Sequence, residues 1–123
     1  MKKKTKIRWF SKPQKRDYPA AQSYLSLHFE PRAAIKIVNR LKRARITEFA
    51  AKDIFRASGL SLLGISNSHV EKDRTRIILD EALSPLLLYR DNDLGSLIIA
   101  DGYHRLCAVY TFGENAMIPC KIV

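Results

Sequence analysis

The chain is poor in cysteine, in aromatic residues and in long apolar runs. Only two of its 123 residues are cysteine, and 9% are aromatic. Because Cys107 and Cys120 lie among apolar neighbours, we expect buried free thiols in a reducing cytoplasm, without a disulfide. The spacing His104-x-x-Cys107 supplies too few ligands for a metal site, so we predict none. No apolar stretch reaches the ~20 residues of a membrane span, and none follows the basic N-terminus, so we expect neither a membrane partner nor a signal peptide.

Acidic residues are also scarce, with 12 Asp and Glu against 22 Lys and Arg, and the formal net charge is +10. The excess lies in the N-terminal half. Residues 1–18 hold eight basic residues and one acidic residue, and residues 32–56 hold eight and two, whereas residues 57–123 hold six and eight. A positive field of this kind attracts polyanions such as DNA or RNA.

The length of the chain predicts one compact domain. Residues 1–18 are dense in lysine and arginine and predict a flexible basic arm. Trp9 and Phe10 interrupt this arm and would either pack on the domain or stack on a base, of which packing is the commoner use. We assign residues 19–123 to a single domain, with a helical part over residues 19–80 and an α/β part over residues 81–123.

Four helices are predicted in the helical part, because apolar residues recur at helical spacing over residues 20–30, 32–45, 48–58 and 68–79. Thr47 is a candidate N-cap for the third of these helices, and Ser68-x-x-Glu71 is a capping box for the fourth.

The second predicted helix also carries a stripe of basic side chains at the helical period. The stripe consists of Arg32, Lys36, Arg40 and Arg43. It is either a solvated face or a nucleic-acid-binding surface, and no aromatic residues alternate with the basic ones to stack on bases. Contacts to nucleic acid would therefore be made mainly to phosphates and would weaken with salt.

The α/β part alternates between strand and helix patterns. Two apolar runs, residues 86–90 and 97–101, flank a turn cluster and predict an antiparallel pair of strands. A helix follows from Tyr103 and is closed by Gly113, and residues 117–123 predict the last strand of a small mixed sheet. Because proline cannot donate to a strand ladder, Pro119 predicts a position near an edge or a local irregularity.

The junction Asp101-Gly102-Tyr103-His104-Arg105 joins a buried strand directly to a helix. The first N–H groups of such a helix lack partners and lie at the positive end of the helix dipole. Together with a histidine and an arginine, they predict a binding site for phosphate groups.

Each residue of this junction also has a purely structural interpretation. Gly102 would allow a phosphate to approach closely or would simply form the turn. His104 would contact phosphate, act as an acid or base, or cap its own turn, and Arg105 would grip phosphate or form a salt bridge. Tyr103 would stack on a base or pack inward. Asp101 would hold Mg²⁺ or accept a proton, but we favour an Asx turn or an N-cap for it.

With these elements in order, the C-terminal half resembles the ParB/sulfiredoxin superfamily. The resemblance covers roughly residues 60–123. It rests on Ser84-Pro85 and the strand that follows, on Gly102-Tyr103-His104-Arg105-x-x-Ala108, and on the final strand with Ile118-Pro119. It implies an α+β fold with a small mixed sheet, to which this chain adds a helical N-terminal half. It also implies nucleotide or phosphate binding at Gly102, Tyr103, His104 and Arg105, with CTP or ATP and Mg²⁺ as candidate ligands.

Activities within this superfamily differ. ParB-like members bind CTP and act on DNA, sulfiredoxins use ATP to repair peroxiredoxins, and other relatives phosphorylate free serine or have been described as nucleases. Sulfiredoxins carry a catalytic cysteine where this chain has Tyr103, so we do not expect that activity. No helix-turn-helix segment follows the motif in this sequence, so we do not expect a free-standing partition protein.

Three hypotheses therefore follow from the sequence. The first is a nucleotide- or phosphate-binding protein of this superfamily. The second is a metal-dependent phosphotransferase or nuclease, with Asp101 and His104 as candidate catalytic residues and with a second carboxylate from Glu71, Asp73, Asp80 or Glu81. The third is a nucleic-acid-binding accessory protein that uses the basic half. The sequence leaves open whether the chain is an enzyme and whether it forms a homodimer.

Overall fold

The computed structural model describes residues 6–64 and 66–123, and over these ranges the chain forms five helices and a four-stranded mixed sheet. The α+β class predicted from the sequence is thereby confirmed. The helices are α1 (Asp17–Leu25), α2 (Pro31–Arg43), α3 (Ala51–Ser58), α4 (Ser68–Ile78) and α5 (Tyr103–Phe112), and the strands are β1 (Thr47–Ala50), β2 (Leu86–Asp91), β3 (Ser96–Asp101) and β4 (Met117–Ile122).

The strands of the sheet lie in the order β1-β4-β2-β3. β2 and β3 pair antiparallel, as predicted, with a register shift between Leu87 and Leu88. β4 pairs antiparallel with β1 and parallel with β2. Because β3 leads into α5 and α5 leads into β4, the N-terminus of α5 lies where β3 leaves the sheet.

Helices cover both faces of the sheet, because successive strand side chains point to opposite faces. Leu86 and Leu88 are fully buried and join an apolar cluster with residues of α3, α4 and α5. Leu87 and Ile98 join a second cluster with residues of α1 and α2. The sheet therefore separates α1 and α2 from the other three described helices.

β1 is the largest difference from the sequence prediction. We expected a helix over residues 48–58 with Thr47 as its N-cap, whereas residues 47–50 form a strand and α3 begins at Ala51. Backbone pairing with β4, from Thr47 opposite Cys120 to Ala50 opposite Met117, gives this segment its conformation. Four residues are too few for an alternating pattern to outweigh a helical one. The predicted helix end is confirmed, since Gly59 follows α3 with a φ of 68°.

Two smaller predictions also differ. β4 lies between β1 and β2, so it is an inner strand. It accommodates Pro119 because its pairing with β2 begins only at Cys120. The N-cap of α4 is Asn67 and not Ser68, because Asn67 Oδ1 accepts hydrogen bonds from the N–H groups of His69 and Val70 at 3.0 and 3.2 Å.

The segment before α1 is held against the domain. Residues 1–5 of the predicted arm lie outside the described residues. Further along, Phe10 N–H donates to the Leu83 carbonyl at 2.8 Å, and Leu83 N–H donates to the Arg8 carbonyl at 2.9 Å. The side chain of Trp9 packs against the apolar cluster beneath α5. Residues 8–10 are thus paired along Leu83. Of the two roles predicted for Trp9, the structure shows packing on the domain.

Two predictions about composition can also be compared with the structure. Cys107 and Cys120 are buried free thiols, as predicted. Among the described helices, none combines the length and the apolar character needed to cross a bilayer.

Candidate functional site

The predicted phosphate-binding junction forms a sharp turn between β3 and α5. Gly102 occupies this turn with a φ of 108°, a conformation that residues with a side chain rarely adopt. A Cβ at this position would lie 2.7 Å from Leu86 Cγ and 2.9 Å from Arg105 Nη2. The space beside the Gly102 Cα is thus filled by these two side chains. Glycine is required here by packing, and not to let a phosphate approach from that side.

The N-terminus of α5 has no side-chain cap. Gly102 is the N-cap residue, and the first helical hydrogen bond runs from Leu106 N–H to the Gly102 carbonyl at 2.9 Å. The N–H groups of Tyr103, His104 and Arg105 precede this bond and point out of the helix end. Asp101 is therefore not the N-cap, which was one of the two structural roles, Asx turn or N-cap, that we favoured for it from the sequence.

Asp101 instead forms a salt bridge with Arg105. Arg105 Nη2 donates to Asp101 Oδ2 at 2.9 Å, and each side chain is only 16% exposed. Burial raises the pKa of the Asp101 carboxyl, and the nearby Arg105 guanidinium opposes this rise. Arg105 Nε is buried and has no hydrogen-bond partner among the described residues. Arg105 thus keeps one unused donor while its Nη2 atom is committed to Asp101.

These residues line one wall of a cavity of about 250 Å³. The rest of the wall comes from α4 and from the residue before α1. Four cationic side chains and two carboxylates line the cavity, so its charge is positive when the histidines are neutral. The lining residues are Arg16, His69, Lys72, Asp73, Arg76 and residues 101–105.

α4 contributes one polar face to this cavity. His69, Lys72, Asp73 and Arg76 follow the i, i+3, i+4, i+7 spacing that places residues on one side of a helix. Arg76 Nη1 lies 3.7 Å from Asp73 Oδ1, whereas no carboxylate among the described residues lies within 4.0 Å of the Lys72 ammonium. Lys72 is therefore available to an anion in the cavity.

Arg16 reaches the cavity because the start of α1 is fixed to the segment before β2. The buried Asp17 carboxylate accepts a hydrogen bond from Gln14 N–H at 3.0 Å and another from the Ser84 hydroxyl. The same segment continues to Pro85, whose carbonyl accepts a 3.4 Å hydrogen bond from Arg105 Nη2. Arg16 likewise has no described carboxylate within 4.0 Å.

Two histidines lie next to each other in the cavity. The ring centroids of His69 and His104 are 4.8 Å apart. Burial lowers the pKa of His104, His69 and Arg105 lower it further, and Asp73 opposes them. His104 is therefore neutral at pH 7 and has one ring nitrogen as a donor and one as an acceptor.

Tyr103 lies at the boundary between this polar cavity and a more apolar one. Its hydroxyl donates to the Ser61 carbonyl in the connection after α3. The neighbouring cavity of about 370 Å³ shares residues 101–104 with the first. Its other lining residues are mostly apolar and come from α1, β3 and the connection after α3, namely Ala20, Tyr24, Leu60, Ile99 and Ala100.

The basic stripe of α2 lies elsewhere in the molecule. None of the side chains Arg32, Lys36, Arg40 and Arg43 lines the polar cavity, and α2 packs on the other face of the sheet. The structure places residues 101–105 in one cavity with Asp73, one of the four second carboxylates considered from the sequence, and with residues that sequence reasoning missed. Of these, His69, Lys72 and Arg76 share a helix face with Asp73, a signal that could have been noticed. No local signal marked Arg16.

Comparison of the chain with protein-family models, with curated proteins and with solved structures gave no match. The fold and the site define an α+β protein with a positively charged cavity at a helix N-terminus. Its function is argued below from the chemistry of that cavity.

Proposed function

We propose that the chain is a nucleotide- or phosphate-binding protein of the ParB/sulfiredoxin type. The observation that carries this proposal is the convergence of Arg16, Lys72 and Arg76 on the uncapped N-terminus of α5. Several cations and unpaired N–H groups around one concave site favour a multiply charged oxyanion. The direct passage from β3 through Gly102 into α5 supports the superfamily fold, and the two buried free thiols support a cytoplasmic setting.

A nucleotide fits this site better than a simple phosphate, because an apolar cavity adjoins the polar one. Phosphates would lie against α5, and a base would lie beside Tyr24 and Leu60 in the neighbouring cavity. Aromatic rings and apolar walls are the usual surroundings of a bound base, whereas fixed polar groups orient the rest of the ligand. CTP and ATP are therefore the ligands that we propose to test first.

Mg²⁺ is compatible with the carboxylates of the cavity. Asp73 and Asp101 are the residues that would hold it, and the ion would neutralise the phosphates at the same time. Within residues 6–64 and 66–123, no group of three or more His, Cys, Asp or Glu side chains could hold a metal ion unaided. Phosphate oxygens and water would complete the coordination, which is how Mg²⁺ is commonly bound with nucleotides.

Calorimetric titration tests the proposal. We expect heat of binding with CTP, ATP or GTP, measured with and without Mg²⁺, and weaker binding of inorganic triphosphate, which lacks the base. No heat with any of these ligands would overturn the proposal. If inorganic triphosphate binds as tightly as the nucleotides, the cavity is an anion site to which the base makes no contribution.

A pair of charge-matched variants locates the binding. The double variant Arg16→Gln with Lys72→Gln removes the two unpaired cations of the cavity and should weaken nucleotide binding by at least about tenfold, a loss of roughly 1.4 kcal/mol. The control Arg90→Gln with Lys52→Gln removes the same charges outside the cavity and should leave affinity within about threefold, because solvent and salt screen charges that do not line the site.

A metal-dependent phosphotransferase or nuclease is the second candidate function, and the position of Asp73 favours it. Of the four candidate second carboxylates, the structure brings Asp73 into the cavity with Asp101 and His104. Burial raises the pKa of both aspartates, and the surrounding cations oppose this rise. In this reaction one aspartate would hold the metal ion, and the other, with its raised pKa, would accept a proton from an attacking hydroxyl or water.

This second function predicts turnover of nucleotide or nucleic acid that depends on Mg²⁺ or Mn²⁺. Asp101→Asn and Asp73→Asn should each lower that turnover by about 10²-fold or more while nucleotide still binds. Absence of turnover with either metal, or full turnover in both variants, would leave binding as the function.

A further inference from the structure

α2 carries a second cationic surface, which is separate from the cavity. Its members are the exposed side chains Arg32, Lys36, Arg40 and Arg43, and we call them the α2 stripe. At 3.6 residues per turn they fall within an arc of about 80° and extend along about 16 Å of the helix. The buried residues of α2, such as Ile37 and Leu41, lie on the opposite side of the helix. The stripe therefore faces away from the core.

Acidic residues do not neutralise the α2 stripe. The sequence has no Asp or Glu between Glu30 and Glu48. Within the described residues, no carboxylate lies within 4.0 Å of any stripe side chain, whereas Arg8, Arg56 and Arg74, on other parts of the surface, each have such a partner. Exposure alone does not explain the difference, since the side chains of Arg8 and Arg56 are 61% and 81% exposed.

The surroundings of the stripe favour one class of polyanion. A helix that lies on a membrane inserts an apolar face, but the apolar face of α2 is buried against α1 and the sheet. Single-stranded nucleic acid is usually held by stacking on aromatic residues, and α2 has none. A duplex instead offers rows of phosphates to cations on a rigid element.

We propose that the α2 stripe binds the phosphate backbone of duplex nucleic acid without regard to its sequence. No side chain of the stripe lines either cavity at the N-terminus of α5, so duplex and nucleotide occupy different sites. Binding depends on salt, because each phosphate contact releases a condensed counterion. The contacts are made by side chains of one helix, so they are lost when those charges are removed.

Fluorescence anisotropy with a labelled 20-base-pair DNA duplex over a sodium chloride series tests the proposal. In the stripe variant, Arg32, Lys36, Arg40 and Arg43 are all changed to Gln. We expect at least about tenfold weaker binding at low salt, and a slope of log affinity against log salt that is shallower by about 3 to 4. A control with Lys12, Lys52, Arg56 and Arg90 changed to Gln has the same net charge and should lose less than about threefold.

One further variant and three further ligands distinguish duplex binding by the stripe from its alternatives. A variant with Arg32, Arg40 and Arg43 changed to Lys keeps the charges and should retain the binding, which also guards against loss of folding. Equal losses in the stripe and control variants, or no binding at low salt, would overturn the proposal. So would displacement of the duplex by saturating ATP, equally tight binding of a single strand, or stripe-dependent binding to anionic vesicles in place of the duplex.

Discussion

Gly102 is subject to two constraints, of which the other described glycines have at most one. Its φ of 108° lies in the left-handed region, and a Cβ would meet Leu86 and Arg105 at less than 3.0 Å. Gly95 has a similar conformation, with a φ of 66°, but nothing lies within 4 Å of a Cβ there. The two positions therefore form a natural comparison.

Gly102→Ala should destabilise the protein by about 2–4 kcal/mol, because backbone strain and overpacking add. Gly95→Ala should cost only about 1 kcal/mol, which reflects the conformation alone. Urea unfolding measures both free energies. Equal losses in the two variants would show that the contacts of Gly102 with Leu86 and Arg105 are not a constraint.

His104 should make anion binding dependent on pH. Its pKa is lowered by burial, so the free protein holds it neutral at pH 7, and a bound anion favours its protonation. Affinity should therefore rise as the pH falls from about 7.5 to 5.5, through the range of an ordinary histidine. Sulfate is the suitable probe, because its own charge is constant over this range.

Variants of two histidines test this dependence. Titrations at the two pH values should show a steep change in the wild-type protein and a smaller one in His104→Asn. His28 lies in the connection after α1 and does not line the cavity, so His28→Asn should behave as the wild type. An unchanged pH dependence in His104→Asn would assign the effect to another group of the cavity.

At the scale of single residues, the sequence predicts the part of the site whose residues are adjacent in the chain. Residues 101–105 are adjacent, so their chemistry is visible as a motif. The role of Asp101 was predicted differently, because an N-cap is a local property, whereas its salt bridge depends on how Arg105 lies under Pro85. Arg16 reaches the cavity through tertiary packing, which no local pattern encodes. The polar helix face that contains Lys72 is visible in the sequence, but the sequence does not show that this face meets residues 101–105.

At the scale of elements, the amphipathic helix α2 and the apolar strands β2, β3 and β4 are predicted well, and β1 is not. α2 is defined by four buried residues at helical spacing, and it begins at Pro31, as expected of a proline in the first turn of this helix. β1 is defined by its partner β4, which lies about 70 residues further along the chain. Its own four residues fit a helix equally well, so the hydrogen bonds to β4 decide its conformation.

The segment along Leu83 gives a prediction at this scale. Trp9 packs against the main apolar cluster, whereas Phe10 is 42% exposed. Trp9→Ala should lower the free energy of unfolding by about 2 kcal/mol, because a partly buried aromatic side chain is lost. Phe10→Ala should cost less than about 1 kcal/mol.

Thermal or urea unfolding followed by circular dichroism compares these two variants without relying on tryptophan fluorescence. Two equally small losses would mean that residues 8–10 contribute little to the stability of the domain, despite their hydrogen bonds to Leu83.

At the scale of the whole molecule, the two candidate surfaces share no lining residue. None of the α2 stripe side chains lines the polar cavity or the apolar cavity beside it, although α1 contributes Ala20 and Tyr24 to the apolar one. Sites with no shared residues usually behave additively. Saturating nucleotide should therefore change duplex affinity by less than about threefold, and the stripe variant should bind nucleotide as the wild type does. Calorimetry and anisotropy measure the two effects, and strong coupling in either direction would contradict this separation.

The pairing of residues 8–10 with Leu83 has one further consequence. The chain passes from this pairing to Arg16, which lines the cavity, so a ligand that contacts Arg16 also favours the attached state of the N-terminal segment. Such coupling is reciprocal by thermodynamic necessity. Saturating ligand should slow hydrogen–deuterium exchange at the amides of Phe10 and Leu83. Conversely, release of the N-terminal segment should lower the affinity of the protein for the ligand. The beginning of the chain and the cavity at α5 would then open and close as one cooperative unit.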